Sequence, residues 1–365
     1  GAYLLGELLA ATPGPIRCLV RAERVEEGRE RIADNLARLG LPLSPEQRER
    51  VWPVLGDLSR PRWGLAEEAF AALAKETGAL FHAGAWVNFT YPYALLAPTN
   101  VGGTDAALEL AGRSGAPLHF LSSLSALVPD PAEPSWRARE DDPLPRAEGH
   151  FGGYAETKWV AEHHLRLAQE RGIRSVVYRP GLVAGGIDGR VGNTRDLMWS
   201  LLKGCLETGL APALELPFDP VPADALARGI VHLASRPESL GRAFHFVPDG
   251  SPTWRELFEL TRALGWRLEI LPPTSWLSEM GAVVAARPDH ALAPFWPLLS
   301  ARFGASSSDG EGLRAVSADN ANPRAALAGS GFELPSLSRA LLTRWLETFV
   351  AEGFLAAPTI EEVAR

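Results

Sequence analysis

Tyr154-Ala-Glu-Thr-Lys158 places a phenol and an ammonium four residues apart, downstream of the apolar run Leu118-His-Phe-Leu-Ser122 that leads into Ser123. On a helix, positions i and i+4 share one face, so these two side chains stand side by side. An ammonium so placed is expected to favour the phenolate, lowering the phenol from its reference pKa of about 10 toward neutrality. A hydroxyl at the end of a facing strand, Ser123, can hold a carbonyl oxygen. The chemistry these groups equip is hydride transfer to a carbonyl, with Ser123, Tyr154 and Lys158 as candidate catalytic residues. Because Y-x-x-x-K also occurs on solvated helix faces, the surrounding elements must decide.

The apolar spacing predicts a helix over 154–170. The next strand reads Arg174-Ser-Val-Val-Tyr-Arg179-Pro180-Gly181, so a cation and a sharp turn end a buried run where an α/β sheet places its ligand crevice. Upstream, Ile16–Arg21, Val51–Leu58, Ala79–Ala85 and Leu118–Ser122 read as buried strands, separated by helices over 23–39, 65–77 and 100–113. This alternation predicts an α/β fold with a doubly wound parallel, Rossmann-like sheet. From about residue 187 the rhythm turns helical, broken by proline near 211–222 and 271–273 and by Gly/Ser at 303–312. The expected division is 1–186 for the cofactor, its sheet completed by segments within 215–249, and 187–365 as a smaller, mostly helical region facing the substrate. Residues 128–153, polar and rich in proline, are expected to form a mobile loop beside the site.

Cofactor choice is read from strand ends. Where an NAD enzyme carries a carboxylate after the second strand of such a sheet, this chain has Arg21-Ala22. A guanidinium suits a 2′-phosphate, and Arg31 in the next helix adds a second charge, so NADPH is preferred; an arginine merely capping a strand is the alternative. Asp57 and Leu58 would flank the adenine, and Ala83-Gly84-Ala85 would allow close backbone approach. Arg179, Pro180 and Gly181 complete the crevice. The beginning departs from this plan, because Gly1-Ala-Tyr-Leu-Leu-Gly-Glu-Leu-Leu9 reads directly as a helix. The expectation is that Gly1 is the last glycine of a G-x-x-G-x-x-G fingerprint whose strand and remaining loop lie upstream and are missing here. A fold without that strand would leave an exposed edge or a gap in the sheet.

Composition narrows the class. The 365 residues are 46% hydrophobic, enough for a sizeable core, and a net charge of −8 with pI near 5.6 argues against nucleic acid or an anionic membrane as the main partner. Cys18 and Cys205 lie in apolar contexts and are expected to be reduced thiols. No apolar run reaches the length of a membrane span and no signal peptide is evident, so a cytoplasmic location is expected. No metal is expected: His163 and His164 are adjacent on a helix and there is no H-E-x-x-H.

The order strand-Ser, Tyr-x-x-x-Lys helix, strand-Arg-Pro-Gly resembles the extended short-chain dehydrogenase/reductase superfamily. Further strings narrow the resemblance: Cys18-Leu-Val-Arg21-Ala, Gly56-Asp57-Leu58, Val87-Asn-Phe89 with Tyr91-Pro-Tyr93, Asn100-Val-Gly-Gly-Thr104, Gly153-Tyr154 through Lys158-Trp-Val-Ala-Glu162, Lys203-Gly-Cys-Leu-Glu-Thr-Gly209, Asn322-Pro-Arg-Ala-Ala-Leu327 and Gly353-Phe-Leu355. In this order, over nearly the whole chain, they are similar to the thioester reductases, the terminal reductase domains of nonribosomal peptide and polyketide synthases, shared with carboxylic acid and α-aminoadipate reductases. The resemblance implies NADPH-dependent release of an acyl or peptidyl chain held as a phosphopantetheinyl thioester on a carrier protein, giving an aldehyde and in some members a primary alcohol. It implies that Tyr154 donates the proton, Ser123 binds the oxyanion, Lys158 holds the nicotinamide ribose and Asn100 lies at the cofactor. The chain departs from the family with Ser123 in place of a common threonine, and with Ala83 after His82 where relatives often carry Asn. Trp159, Met198, Trp199, Trp276, Met280, Phe295 and Trp296 are candidates for a substrate channel or for core, and Arg255, Arg262 and Arg267 for carrier docking or a solvated face. Two other functions stay open: a reductase or epimerase of nucleotide sugars or small carbonyls, and a non-catalytic NADP sensor.

Overall fold

The computed structural model describes residues 1–127, 136–145, 152–190, 192–194, 196–248, 250–304 and 316–358. Most of the 128–153 stretch and the Gly/Ser residues 305–312 lie outside them. Two compact units are distinguished, one of Gly1–Gly181, Ala223–Val247 and Val316–Leu334, the other of Leu182–Pro222, Pro248–Ala315 and Pro335–Arg365. The chain passes between the two units five times, where a single boundary near 186 was expected.

In chain order the first unit begins with α1 (Ala2–Ala11), β1 (Ile16–Val20), α2 (Val25–Arg38), α3 (Pro45–Arg50), β2 (Val51–Leu55), α4 (Glu67–Glu76), β3 (Leu80–His82), α5 (Tyr93–Ala97), α6 (Gly103–Ser114), β4 (Leu118–Leu121), α7 (Gly153–Glu170) and β5 (Ser175–Pro180). There follow β6 (Val183–Ala184), α8 (Leu197–Thr208), β7 (Leu210–Pro212), β8 (Val221–Pro222), α9 (Ala223–Ala234), β9 (Ala243–Phe246), α10 (Trp254–Ala263), β10 (Glu269–Leu271), α11 (Pro273–Ala286), α12 (Trp296–Gly304), α13 (Ala321–Leu327) and α14 (Arg339–Ala351).

In the first unit β3, β4, β5 and β9 form a parallel sheet in that order, with Phe120 opposite Val177 and Tyr178 opposite Phe244. Every residue of β5 is buried, Ser175 and Arg179 included, as a strand covered on both faces requires. Phe70, Ala107, Leu118, Phe120, Ala161 and Leu165 meet at the core where α4, α6 and α7 pack on the sheet. β1 and β2 form a separate parallel pair, with Val20 opposite Leu55. Among the described residues the strands thus form two ladders, because no strand pairs with the second edge of β1 or of β3. α13 joins this unit through Asn322, whose side chain donates to the Ala243 carbonyl of β9 at 2.9 Å.

The second unit has its own core, in which Trp199, Phe218, Phe258, Trp276, Met280, Trp345 and Phe349 are buried. α8 starts at Asp196, whose carboxylate accepts from Trp199 N–H, and stops at Gly209, whose left-handed φ of 73° suits glycine. Short parallel pairs β6–β8 and β7–β10 complete it. Met198, Trp199, Trp276 and Met280 are at most 2% exposed, so the structure makes them core and not channel. Phe295 and Trp296 pack half-buried against the same core. No helix among the described residues is long and apolar enough to cross a membrane.

Candidate active site

β4 delivers Ser122 and Ser123 at its carboxyl end, and α7 presents Tyr154 and Lys158 on one face. Ser123 has extended backbone and caps a short turn over 124–126; its Oγ accepts from Ser125 N–H at 3.1 Å and from the Ser125 hydroxyl at 3.0 Å. Ser123 lies beside the Tyr154 phenol and draws its pKa down. Lys158 Nζ donates to the Leu121 carbonyl at 2.7 Å, tying α7 to the last residue of β4, and lies 4.8 Å from the centre of the Phe120 ring. Tyr154 and Lys158 are 8% and 4% exposed. The structure brings all three expected catalytic residues together.

It corrects their electrostatics. Burial pushes the phenol up to about 12, against which Ser123 pulls only partly, so Tyr154 is a neutral proton donor and not a stabilised phenolate. Burial likewise brings the Lys158 ammonium down to about 8, with the Glu162 carboxylate holding it up. Desolvation of the charged forms outweighs the attraction expected between neighbours. His82, 6% exposed, is pushed down to about 3 by burial and then by Lys158. Its Nε2 lies 3.1 Å from Thr104 Oγ1, whose proton goes to the Asn100 carbonyl, so the imidazole is neutral and donates.

Backbone geometry places Tyr154. Gly152 has φ 84°, and at Gly153 a Cβ would lie 2.2 Å from Tyr93 N, 2.4 Å from Pro92 C and 2.7 Å from Tyr91 O. Only glycine lets α7 begin against the segment leading into α5. That segment is pinned by Asn100, in a π-turn over 98–102: its Oδ1 accepts from Trp86 N–H at 2.7 Å, and its Nδ2 donates to the Trp86 carbonyl at 3.1 Å and to Thr157 Oγ1 at 3.0 Å. The resemblance implied that Asn100 lies at the cofactor. Its side chain is instead committed to the protein, where it fixes the 86–92 loop to α7. Asn88 folds that loop by accepting from Thr90 and Tyr91 N–H, and Phe89 meets the Tyr154 ring edge-on at 5.5 Å.

At the other end of the expected crevice, β1 and β2 run parallel and release Arg21 and Asp57 on one side. Arg21 is exposed, and Arg31 Nη1 donates to its carbonyl at 2.7 Å, so two cations gather at the end of β1. The Asp57 carboxylate accepts from Ser59 N–H and hydroxyl, which with Arg21 and Arg60 hold it below its usual range. A Cβ at Gly84 would lie 2.6 Å from Leu58 Cδ1, so glycine lets the Ala83–Ala85 backbone rest on Leu58. Gly1 starts α1, its carbonyl accepting from Leu5 N–H. Arg62 and Trp63, with φ 47° and 59°, form a left-handed turn whose Trp63 carbonyl accepts from Asp57 N–H. Sequence reading missed it, and Pro61 and Gly64 flanking the turn were the available signal.

Arg179 is the clearest misplacement. Expected at the crevice, it is 4% exposed and forks onto Glu162, with Nε 3.0 Å from both carboxylate oxygens and Nη2 2.6 Å from one. Pro180 closes β5, and Gly181 N–H bonds to the Phe246 carbonyl. Trp159 Nε1 donates to the Pro145 carbonyl while its ring stacks on His163. Arg255 is held by Glu215 and Glu259 beside an 810 Å³ cleft of the second unit that Arg262 also lines. Glu140, His245 and Asp319 bring potential ligand atoms within 4.8 Å of one another. However, His245 Nδ1 donates to the Asp319 carbonyl and Nε2 accepts from Arg179, so the imidazole has no lone pair left for an ion.

Residues 1–230 match the family model described as "Male sterility protein", an NAD-binding family. The chain is 36% identical over 278 residues, 76% of its length, to a linear gramicidin synthase of Brevibacillus parabrevis, and 33% identical over 98% of its length to the isonitrile lipopeptide synthase of Streptomyces coeruleorubidus. It spans 5% and 24% of those proteins. The terminal R domain from the myxalamid PKS-NRPS pathway superposes with a TM-score of 0.90 at 38% identity, covering 98% of this chain and 89% of that one.

Proposed function

Because the chain belongs to the Male sterility protein family, and within it to the terminal reductase domains of nonribosomal peptide and polyketide synthases, we propose that it reductively releases an acyl or peptidyl chain from a carrier protein. The reaction would use NADPH and yield an aldehyde, with reduction onward to a primary alcohol as a second cycle. The observation that carries this reading is the placing of a buried, neutral Tyr154 beside Ser123, with Lys158 one helical turn along.

The residues present fit a phosphorylated dinucleotide. Arg21 and Arg31 supply two cations at the end of β1 for a 2′-phosphate, Asp57 lies beside Arg21, and the half-buried Ala83–Ala85 backbone rests on Leu58. When bound, NADPH supplies the hydride. The protein's own work is on the oxygen: Ser123 and Tyr154 hydrogen-bond the thioester carbonyl, and Tyr154 gives its proton to that oxygen as negative charge develops there. The product is a hemithioacetal, whose C–S bond breaks to leave the aldehyde and the carrier thiol. Lys158, fixed by the Leu121 carbonyl, presents a positive charge beneath the phenol and a donor for the ribose. The partner is a carrier protein bearing a phosphopantetheinyl thioester, in the setting of a cytoplasmic synthase.

NADPH consumption together with thiol release from an acyl-pantetheine thioester tests the reading. Turnover of a nucleotide sugar or a small ketone, with the thioester left intact, would overturn it.

A further inference from the structure

Tyr154, Lys158 and Glu162 succeed one another at spacings of four on the buried face of α7, and the third has no part in the chemistry above. Glu162 is 2% exposed and Arg179 4%, and their fork closes both carboxylate oxygens. The Ser122 hydroxyl also donates to Glu162 Oε1, and the Ser122 N–H bonds to the Tyr178 carbonyl of β5 at 2.7 Å. Arg179 Nη1 reaches His245 Nε2 at 3.1 Å, and His245 N–H donates to Glu140 at 2.8 Å. Three strands, β4, β5 and β9, are therefore locked to the helix that carries the phenol.

A buried ion pair of this kind gains little stability over a well-packed apolar pair, because two charges have been taken out of water. Its value must lie in what it fixes. Ser122 directly precedes Ser123, so the Ser122–Glu162 bond sets the strand end that holds the carbonyl.

We propose that Glu162, braced by Arg179 and His245, is a positioning residue for this site: through Ser122 it fixes Ser123, at the strand end that faces Tyr154. The effect of that placement on turnover rests on the function proposed above.

The test removes one bond and leaves the ion pair in place. Ser122→Ala keeps Glu162 and Arg179 and deletes only the hydroxyl that ties Glu162 to the strand end. It should leave the KM for NADPH in place while kcat for thioester reduction falls about tenfold. An unchanged kcat would overturn the positioning role, whereas loss of thioester activity in the unaltered protein would count against the proposed function alone.

Discussion

Gly153→Ala tests whether the start of α7 is what aims Tyr154. The added Cβ would fall 2.2 Å from Tyr93 N and 2.4 Å from Pro92 C, both backbone atoms that no side-chain rotation can move away. Ordinary van der Waals contact begins near 3.4 Å, so α7 and the α5 segment must separate by about 1 Å. Overpacking of this kind costs roughly 1–3 kcal/mol of stability. The larger effect is on rate, because Tyr154 is the next residue and a displacement of about 1 Å in a reacting group can cost on the order of 10²-fold. Arg21, Arg31 and Asp57 belong to other elements and should not move. Steady-state NADPH oxidation with an acyl-pantetheine thioester, NADPH titration by fluorescence and a thermal melt separate these effects. The expected pattern is a folded protein with a lowered Tm, near-normal NADPH affinity and kcat reduced about a hundredfold. Normal kcat and normal Tm together would refute the argument that this close approach positions the phenol.

Tyr154→Phe should lower kcat by ~10²-fold or more while NADPH affinity stays near normal, and Lys158→Ala should damage both; full turnover in the phenylalanine variant would remove the proton-donor assignment. Arg21→Ala should weaken NADPH by ~1.5–3 kcal/mol and NADH far less, which parallel titrations would show; equal affinity of the unaltered protein for both cofactors would contradict the 2′-phosphate reading. Glu140 is pushed up to about 7, first by burial and also by Asp319. A carboxyl whose folded pKa lies above its unfolded value contributes stability that is complete below about 4.5 and is lost as pH rises to about 7, on the order of 3 kcal/mol here. Melts at pH 5 and pH 8 should therefore show Tm falling over that window, and falling less in Asp319→Asn; equal falls in both proteins would exclude Asp319 as a cause.

What was legible in the sequence was local. The spacing of four between Tyr154 and Lys158, the strand ending at Ser123 and the cation after Val20 each depend on a helical or strand period over a few residues. Those periods placed the three reactive groups and the two arginines at the end of β1. The tertiary structure decided what lay beyond that reach. Whether Tyr154 is anion or acid depends on how much water the fold removes from it, and burial reversed the direction that the neighbouring lysine suggested. Whether Arg179 faces a crevice or the protein depends on Glu162 and on His245, 66 positions further along the chain. The bond that ties Glu140 to Asn322 spans 182 positions. Such pairings have no period to read, because they are set by which strands become neighbours. Asn100 shows the same limit, for nothing within its own turn indicates that its amide is bound to Trp86 and Thr157. Local periodicity thus determined which residues could do chemistry, and long-range packing determined their charge and aim, since both depend on burial and on contacts between distant parts of the chain.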